Sequence, residues 1–180
     1  MAPSDKNIDA QTNDQYWYAL YTRPRNEKKI DGELNKLGLN TFLPVKTITK
    51  LWSDRKKVIK EPLFPSYVFV YANLKERLMA LQPRGVIRMV SFNGQPTRIP
   101  EDQINAVRRI IESGQTPVVH PYFAKGDKVQ IVSGPLAGLE GFVIEHRGTS
   151  HLIMSIDCIR QSLSVRIDSG NLKLISKCQM

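Results

Sequence analysis

No apolar run in the chain approaches the roughly 18–20 residues that span a bilayer. The first fifteen residues, MAPSDKNIDAQTNDQ, are polar and lack the apolar centre of a secretory signal. A cytoplasmic protein with no membrane partner is therefore expected. Cysteine is scarce too: Cys158 and Cys178 are the only two, and without a secretory signal they are expected to stay reduced. His120, His146 and His151 do not form the close ligand pairs of a zinc site. No glycine-rich stretch matches a nucleotide cradle, since GPLAGLEG lacks the Lys-Ser/Thr of a P-loop and sits among strand-like segments. These absences leave no metal, cofactor or catalytic residue to assign. One enzymatic alternative uses Cys158 as a nucleophile beside His146 or His151. However, Ile153–Cys158 reads as strand, where a small cysteine is more often core filler.

What is present is ordinary for a globular chain: 41% hydrophobic and 24% charged residues, enough to build a core. The charge is unevenly spread. Residues 1–15 hold one Lys against three Asp, residues 16–112 hold 18 Lys/Arg against nine Asp/Glu, and residues 113–180 hold seven against five. The excess of +9 over residues 16–112 marks that part as the one to meet polyanions, because neutralising phosphates releases their condensed counterions.

The aromatic segment Trp17–Thr22 is short and reads as a strand. A first helix is expected over Arg25–Leu37, with Ile30, Leu34 and Leu37 at i, i+4 and i+7, Pro24 at its start and Gly38 just past its end. At 100° per residue, Arg25, Lys29 and Lys36 fall within about 40° of one another, away from the apolar stripe. Two strand-like stretches follow, Asn40–Leu51 and Lys57–Tyr71, joined by a hairpin tip at Ser53-Asp54-Arg55. Lys46, Lys50, Arg55, Lys56, Lys57 and Lys60 crowd this hairpin, either as a solvated edge that discourages strand association or as a polyanion contact. Pro62 and Pro65 imply that the second stretch is bent or lies at an edge. Asn73 and Glu76 form a capping box for a second helix with Leu74, Leu78 and Leu81 inward, closed by Pro83. Val86–Phe92 is a further strand. Pro100-Glu101-Asp102 opens a third helix lined by Ile104, Val107 and Ile111 and stopped by Gly114.

The first domain therefore reads βαβ-βαβ-α. The expected fold class is α+β: an N-terminal mixed or antiparallel sheet with packed helices, then a small β-barrel. The barrel strands are Lys128–Val132, Gly141–Glu145, Leu152–Ile156, Ser164–Ile167 and Leu172–Ile175, with no helical period from Phe123 onward. The expected division is a disordered tail at 1–15, a first domain at 16–114, a linker at 115–122 and a second domain at 123–180.

Two blocks carry a resemblance. WYALYT…EPLFPSYVFV…RGVIRMV…GQPTRIP and FAKGDKVQIVSGPLAGLEGFV resemble the N-terminal (NGN) and C-terminal (KOW, SH3-like barrel) domains of the NusG family of transcription elongation factors, over about residues 16–175. The EPLFPSY wording is similar to specialised paralogues of the RfaH type. The resemblance implies a monomeric, non-enzymatic factor that binds the clamp helices of RNA polymerase and suppresses pausing or termination. Its targets would be particular operons, surface-polysaccharide clusters among them. Matched by position, the apolar depression for the clamp helices would include Tyr21, Phe64, Tyr67 and Ile104. The contact to the polymerase gate loop would fall on Glu76 and Arg77, although the paired threonines of that motif are missing. The displaced non-template DNA strand would meet Arg23, Lys36 and Arg84, beside the stripe of Arg25, Lys29 and Lys36. The KOW domain would recruit a ribosomal small-subunit protein or the termination factor Rho; in some paralogues it refolds into a helical hairpin, but alternation such as Leu163–Ile167 favours a barrel here. The alternative is a ribosome-associated RNA-binding KOW protein, which the charge of only +2 on residues 113–180 disfavours.

Overall fold

A computed structural model describes residues 13–51, 55–121, 126–146 and 149–177. The expected tail up to residue 12, the tip residues Ser53 and Asp54, residues 122–125 and Cys178 lie outside them. In chain order the elements are β1 (Tyr16–Thr22), α1 (Glu27–Lys36), β2 (Asn40–Phe42), β3 (Val45–Leu51), β4 (Lys56–Pro62), β5 (Tyr67–Ala72), α2 (Leu74–Ala80), β6 (Val86–Met89), β7 (Ser91–Phe92), β8 (Gln95–Pro96) and α3 (Glu101–Glu112). Among the described residues that follow, the regular elements are strands, β9 (Val118–Pro121), β10 (Asp127–Ile131), β11 (Glu140–His146), β12 (Thr149–Ile156), β13 (Gln161–Ile167) and β14 (Leu172–Ser176), with two single-turn 3₁₀ segments between them. The chain divides into two compact units, Met1–Leu43 with Ser66–Arg98, and Pro44–Pro65 with Ile99–Met180. That division does not follow the sequence boundary expected near residue 114.

In the first unit β2, β5, β1 and β6 lie in that order, every pairing antiparallel. Because side chains alternate along a strand, one face carries Tyr18, Leu20, Val68, Val70, Ala72 and Met89, which form a core with Ile30 and Leu34 of α1 and Ala80 of α2. The other face is aromatic: Trp17 and Tyr21 of β1 stand opposite Tyr71 and Tyr67 of β5, and Phe42 of β2 opposite Phe69.

Several local expectations shift. Helix α1 starts at Glu27, because Arg25 sits at φ 67 in the left-handed region and cannot enter a helix. Leu37, expected on the inner face, is 41% exposed at the C-cap, while Gly38 takes φ 79 just past the end as expected. Each long strand stretch breaks in two, after β2 and before β5, so β2 pairs with β5 and β3 with β4. Pro62 ends β4, an edge strand of the two-stranded ribbon, and Pro65 lies in the turn before the interior strand β5, so the two prolines mark an edge and a bend. The capping box of Asn73 and Glu76 is present, yet Leu74, Leu78 and Leu81 point outward, and Ala80 is the buried residue of α2. A seven-residue helix has room for one inward face, and its tertiary placement sets which one it is. Val86–Phe92 splits at Val90; β7 pairs with β8 across Asn93-Gly94, both at positive φ as a two-residue hairpin turn requires.

The second unit holds a six-stranded antiparallel sheet in the order β14-β10-β11-β12-β13-β9. The strands expected from alternation are all found. The stretch expected as a linker also supplies β9, whose Val118–Pro121 pairs with β13 although Pro117 precedes it and Pro121 ends it. Gly141 of β11 is required by close approach: a Cβ there would stand 2.4 Å from the Ile153 carbonyl oxygen of β12. Helix α3 lies against β12. Ile104, Val107 and Ile110 are buried, Ile110 taking the inward place expected of Ile111. The Arg109 guanidinium donates to the carbonyls of Pro135 and Ala137. Among the described residues β3 and β4 pair only with each other, and the Leu63 N–H closes the hairpin base on the Pro44 carbonyl at 2.7 Å.

Candidate functional site

The turn Leu63–Ser66 sets the geometry of one end of the N-terminal sheet. Pro65 within it and Pro62 just before it lack backbone donors, and Ser66 adopts φ 66, a left-handed conformation unusual outside glycine. Two hydrogen bonds hold Ser66 there. Its N–H donates to Oε1 of Glu27 at 2.7 Å, and its carbonyl accepts from the Thr22 N–H at 2.8 Å. Glu27 is only 4% exposed, and its position in the first turn of α1 puts the carboxylate at the positive end of the helix. Helix α1, strand β1 and the turn are thus tied at one point, and β5 leaves that point in a fixed direction.

The first side chain after the turn is Tyr67. It stands opposite Tyr21, with ring centroids 5.4 Å apart and planes tilted by 56°. On the other side of β1, Arg88 of β6 stands opposite Tyr21 and holds its guanidinium 5.7 Å from the Tyr21 ring centroid. Both tyrosines are half-buried and Arg88 is exposed. The result is a small aromatic surface with a cation on its rim, an arrangement that supplies rigid contact area to a protein partner. Phe64 and Ile104, grouped with these tyrosines on sequence grounds, are each 0% exposed and serve as core. Neither offers surface in this conformation.

Glu76 and Arg77 are occupied locally. The Glu76 carboxylate accepts the Asn73 N–H at 2.8 Å and both of its oxygens accept from the Gln15 amide. The Arg77 guanidinium lies 5.3 Å from the Tyr18 ring centroid. Beside them Leu74, Leu78 and Leu81 form an exposed apolar row. Their i, i+4, i+7 spacing was visible, but it gives no sense of which way a short helix faces.

Of the expected nucleic-acid residues, three are brought together. Arg23, Lys29 and Arg84 line a cleft of about 130 Å³ with Asn26, Ile30, Glu33 and Gly85. The Arg23 N–H donates to the Gly85 carbonyl at 2.8 Å, and a Cβ at Gly85 would come within 2.8 Å of Ile30 Cδ1. Glycine therefore lets the loop before β6 close on α1, bringing Arg84 beside Arg23. Lys29 also pairs with Glu33 at 3.8 Å, an exposed contact of small energetic weight. Lys36 is exposed in the last turn of α1, about 10 Å along the axis from Lys29 at 1.5 Å per residue. Arg25 lies outside the helix, so the angular argument that grouped it with Lys29 and Lys36 does not apply to it.

Cys158 sits in a 3₁₀ turn after β12 instead of in the strand. Burial, with the neighbouring charge of Asp157 adding to it, pushes its thiol up to about 12. A thiol held protonated in this way is a poor nucleophile. Among the described residues no three His, Cys, Asp or Glu side chains cluster as metal ligands.

Comparison with known proteins places these features in context. The family described as "Transcription termination factor nusG" matches residues 15–108, which hold both the tyrosine pair and the Arg23–Arg84 cleft. The "Transcription termination/antitermination protein NusG" of Thermus thermophilus is 29% identical over 163 residues, covering 78% of this chain and 89% of the relative. That of Helicobacter pylori strain J99 is 26% identical over 149 residues, covering 73% and 84%. A solved structure described as "Domain interaction in Thermotoga maritima NusG" superposes with a TM-score of 0.53 at 22% identity, covering 90% of this chain and 98% of that one.

Proposed function

This chain belongs to the NusG family of transcription termination/antitermination factors, and we propose that its sheet end at Tyr21, Tyr67 and Arg88 is the surface that docks on the clamp helices of RNA polymerase. The observation that carries this reading is the Tyr21–Tyr67 pair, half-exposed and fixed by the Glu27–Ser66–Thr22 tie. Docked there, the chain suppresses pausing or termination. Its function is binding, with no chemical step. Residues 16–114 act as the polymerase-facing module. Residues 123–180 act as the recruiting module, for a ribosomal small-subunit protein or Rho. The likeness of EPLFPSY to specialised paralogues supports action at particular operons, such as surface-polysaccharide clusters. The ribosome-associated alternative draws no support from the family match, which falls on residues 15–108. Full-length chain is expected to be retained by immobilised core RNA polymerase and displaced by excess clamp-helix fragment. Absence of retention would sink the reading.

The cleft of Arg23, Lys29 and Arg84, with Lys36 beyond it, is the proposed contact to the displaced non-template strand. Its affinity comes from backbone neutralisation, and a cleft of this size leaves room for a base edge. The double variant Arg23→Gln/Arg84→Gln is expected to lower the slope of log K against log salt on a single-stranded oligonucleotide by about 1.4, at about 0.7 per phosphate. An unchanged slope would assign those arginines to solubility alone.

A further inference from the structure

On the rim of the docking surface stands a cation that the tyrosine pair alone does not explain. Arg88 lies opposite Tyr21 across β1 and β6, and Tyr21 lies opposite Tyr67 across β1 and β5. Residues directly opposite in an antiparallel pair share a face, so Tyr67, Tyr21 and Arg88 form a row across three strands. Neighbouring strands are about 4.8 Å apart, which makes the row about 9.6 Å long. Among the described residues the Arg88 guanidinium has the Tyr21 ring beside it and pairs with no carboxylate. Glu27, the acid tied into this end, is buried, and its Oε1 accepts the Ser66 N–H. Arg23 and Arg84, both exposed, stand just past β1 and shortly before β6, so the field over this end of the sheet is positive.

Resting on that docking reading, we propose that Arg88 binds a carboxylate of the partner helix, which lies across the strands and presents two apolar residues followed by the acid in one stripe. An α-helix rises about 1.5 Å per residue, so places i, i+3 or i+4, and i+7 form a stripe about 10.5 Å long that matches the row. A partner strand laid the same way repeats its face every 6.8 Å, about 13.6 Å over two steps, and overshoots the row. Apolar side chains at the first two places meet Tyr67 and Tyr21, whose rings supply rigid apolar area. The acid at the third place meets Arg88. The Tyr21 ring beside the guanidinium restricts its movement and leaves the N–H fork to a ligand, and a carboxylate takes two of those donors at once. A basic residue at the third place would face the positive field, so the acid also excludes helices of the wrong charge pattern.

A charge-reversal cycle between full-length chain and immobilised core RNA polymerase tests this pairing. Arg88→Glu is expected to weaken binding about 30-fold or more, as when a desolvated charge pair loses one partner. Arg88→Lys keeps the charge without the fork and should fall between Arg88→Glu and the parent chain. Each Asp and Glu of the clamp helices is then changed singly to Arg. One of these changes should weaken binding of the parent chain and restore binding of Arg88→Glu to within about tenfold of the unaltered pair. That acid should have apolar residues three or four and seven positions away in one direction along its helix. Arg88 is exposed, so both variants should keep the parent far-UV spectrum, and rescue from the polymerase side is a result that a purely structural role for Arg88 would not produce. If Arg88→Glu binds as tightly as the parent, or no reversal rescues it, while Tyr67→Ala still loses affinity, the Arg88 pairing is overturned and the docking surface stands. If Tyr67→Ala and Arg88→Glu both bind as the parent does, the two fall together.

Discussion

Phe64→Ala is expected to lower the stability of the protein by about 3–5 kcal/mol, the cost of emptying a fully buried aromatic site. Phe64 is 0% exposed, and the backbone around it cannot readily collapse into the space. Pro62 and Pro65 restrict the turn on both sides, and Ser66 is pinned in a left-handed conformation by Glu27 and Thr22. The midpoint of urea unfolding, followed by far-UV circular dichroism, reads the effect. A shift corresponding to less than 1 kcal/mol would mean that the site is not core. Phe64→Leu, which keeps most of the volume, should recover much of the loss.

Tyr67→Ala should behave in the opposite way. The ring is half-buried at the end of β5, so its removal costs comparatively little stability. Its pairing with Tyr21 at 5.4 Å makes it the rigid centre of the proposed docking surface. Loss of a central aromatic anchor typically costs 2 kcal/mol or more of binding, about a 30-fold or greater weakening. Tyr67→Phe, which keeps the ring pair, should bind polymerase within a few-fold of the parent chain. If Tyr67→Ala binds as tightly as the parent while Arg88→Ala and Tyr21→Ala also leave affinity intact, the sheet end is not the docking surface. Phe64 and Tyr67 are three residues apart in EPLFPSY, and separate readouts distinguish their roles.

The strands of the C-terminal part were legible because alternation punctuated by Gly, Asn and Asp is a local signal, and β10 to β14 follow it closely. The capping box of Asn73 and Glu76 and the glycine after α1 were legible for the same reason. The facing of α2 was not, since Leu74, Leu78 and Leu81 have core spacing and lie outside; seven residues are too few for periodicity to outweigh tertiary placement. β9 was hidden by Pro117 and Pro121, which suggest a linker, although a strand end tolerates them. Of the candidate site, Tyr21 and Tyr67 could be named from the motif, but their contact depends on the β1–β5 register. Glu27 gave no signal beyond being an acid in a first helical turn. Its importance lies in a hydrogen bond to a residue 39 positions away, which no local pattern encodes. The union of Arg23 with Arg84 likewise rests on the close approach at Gly85.

The central claim, that the Tyr21–Tyr67 end of the sheet engages transcribing RNA polymerase, is tested most directly by pause lifetimes on a single defined elongation complex at saturating protein. The full-length parent chain is expected to shorten them, and Tyr67→Ala, added at the same concentration, to leave them near the value without protein. Lifetimes that the parent chain does not change, or that Tyr67→Ala shortens equally, would contradict it.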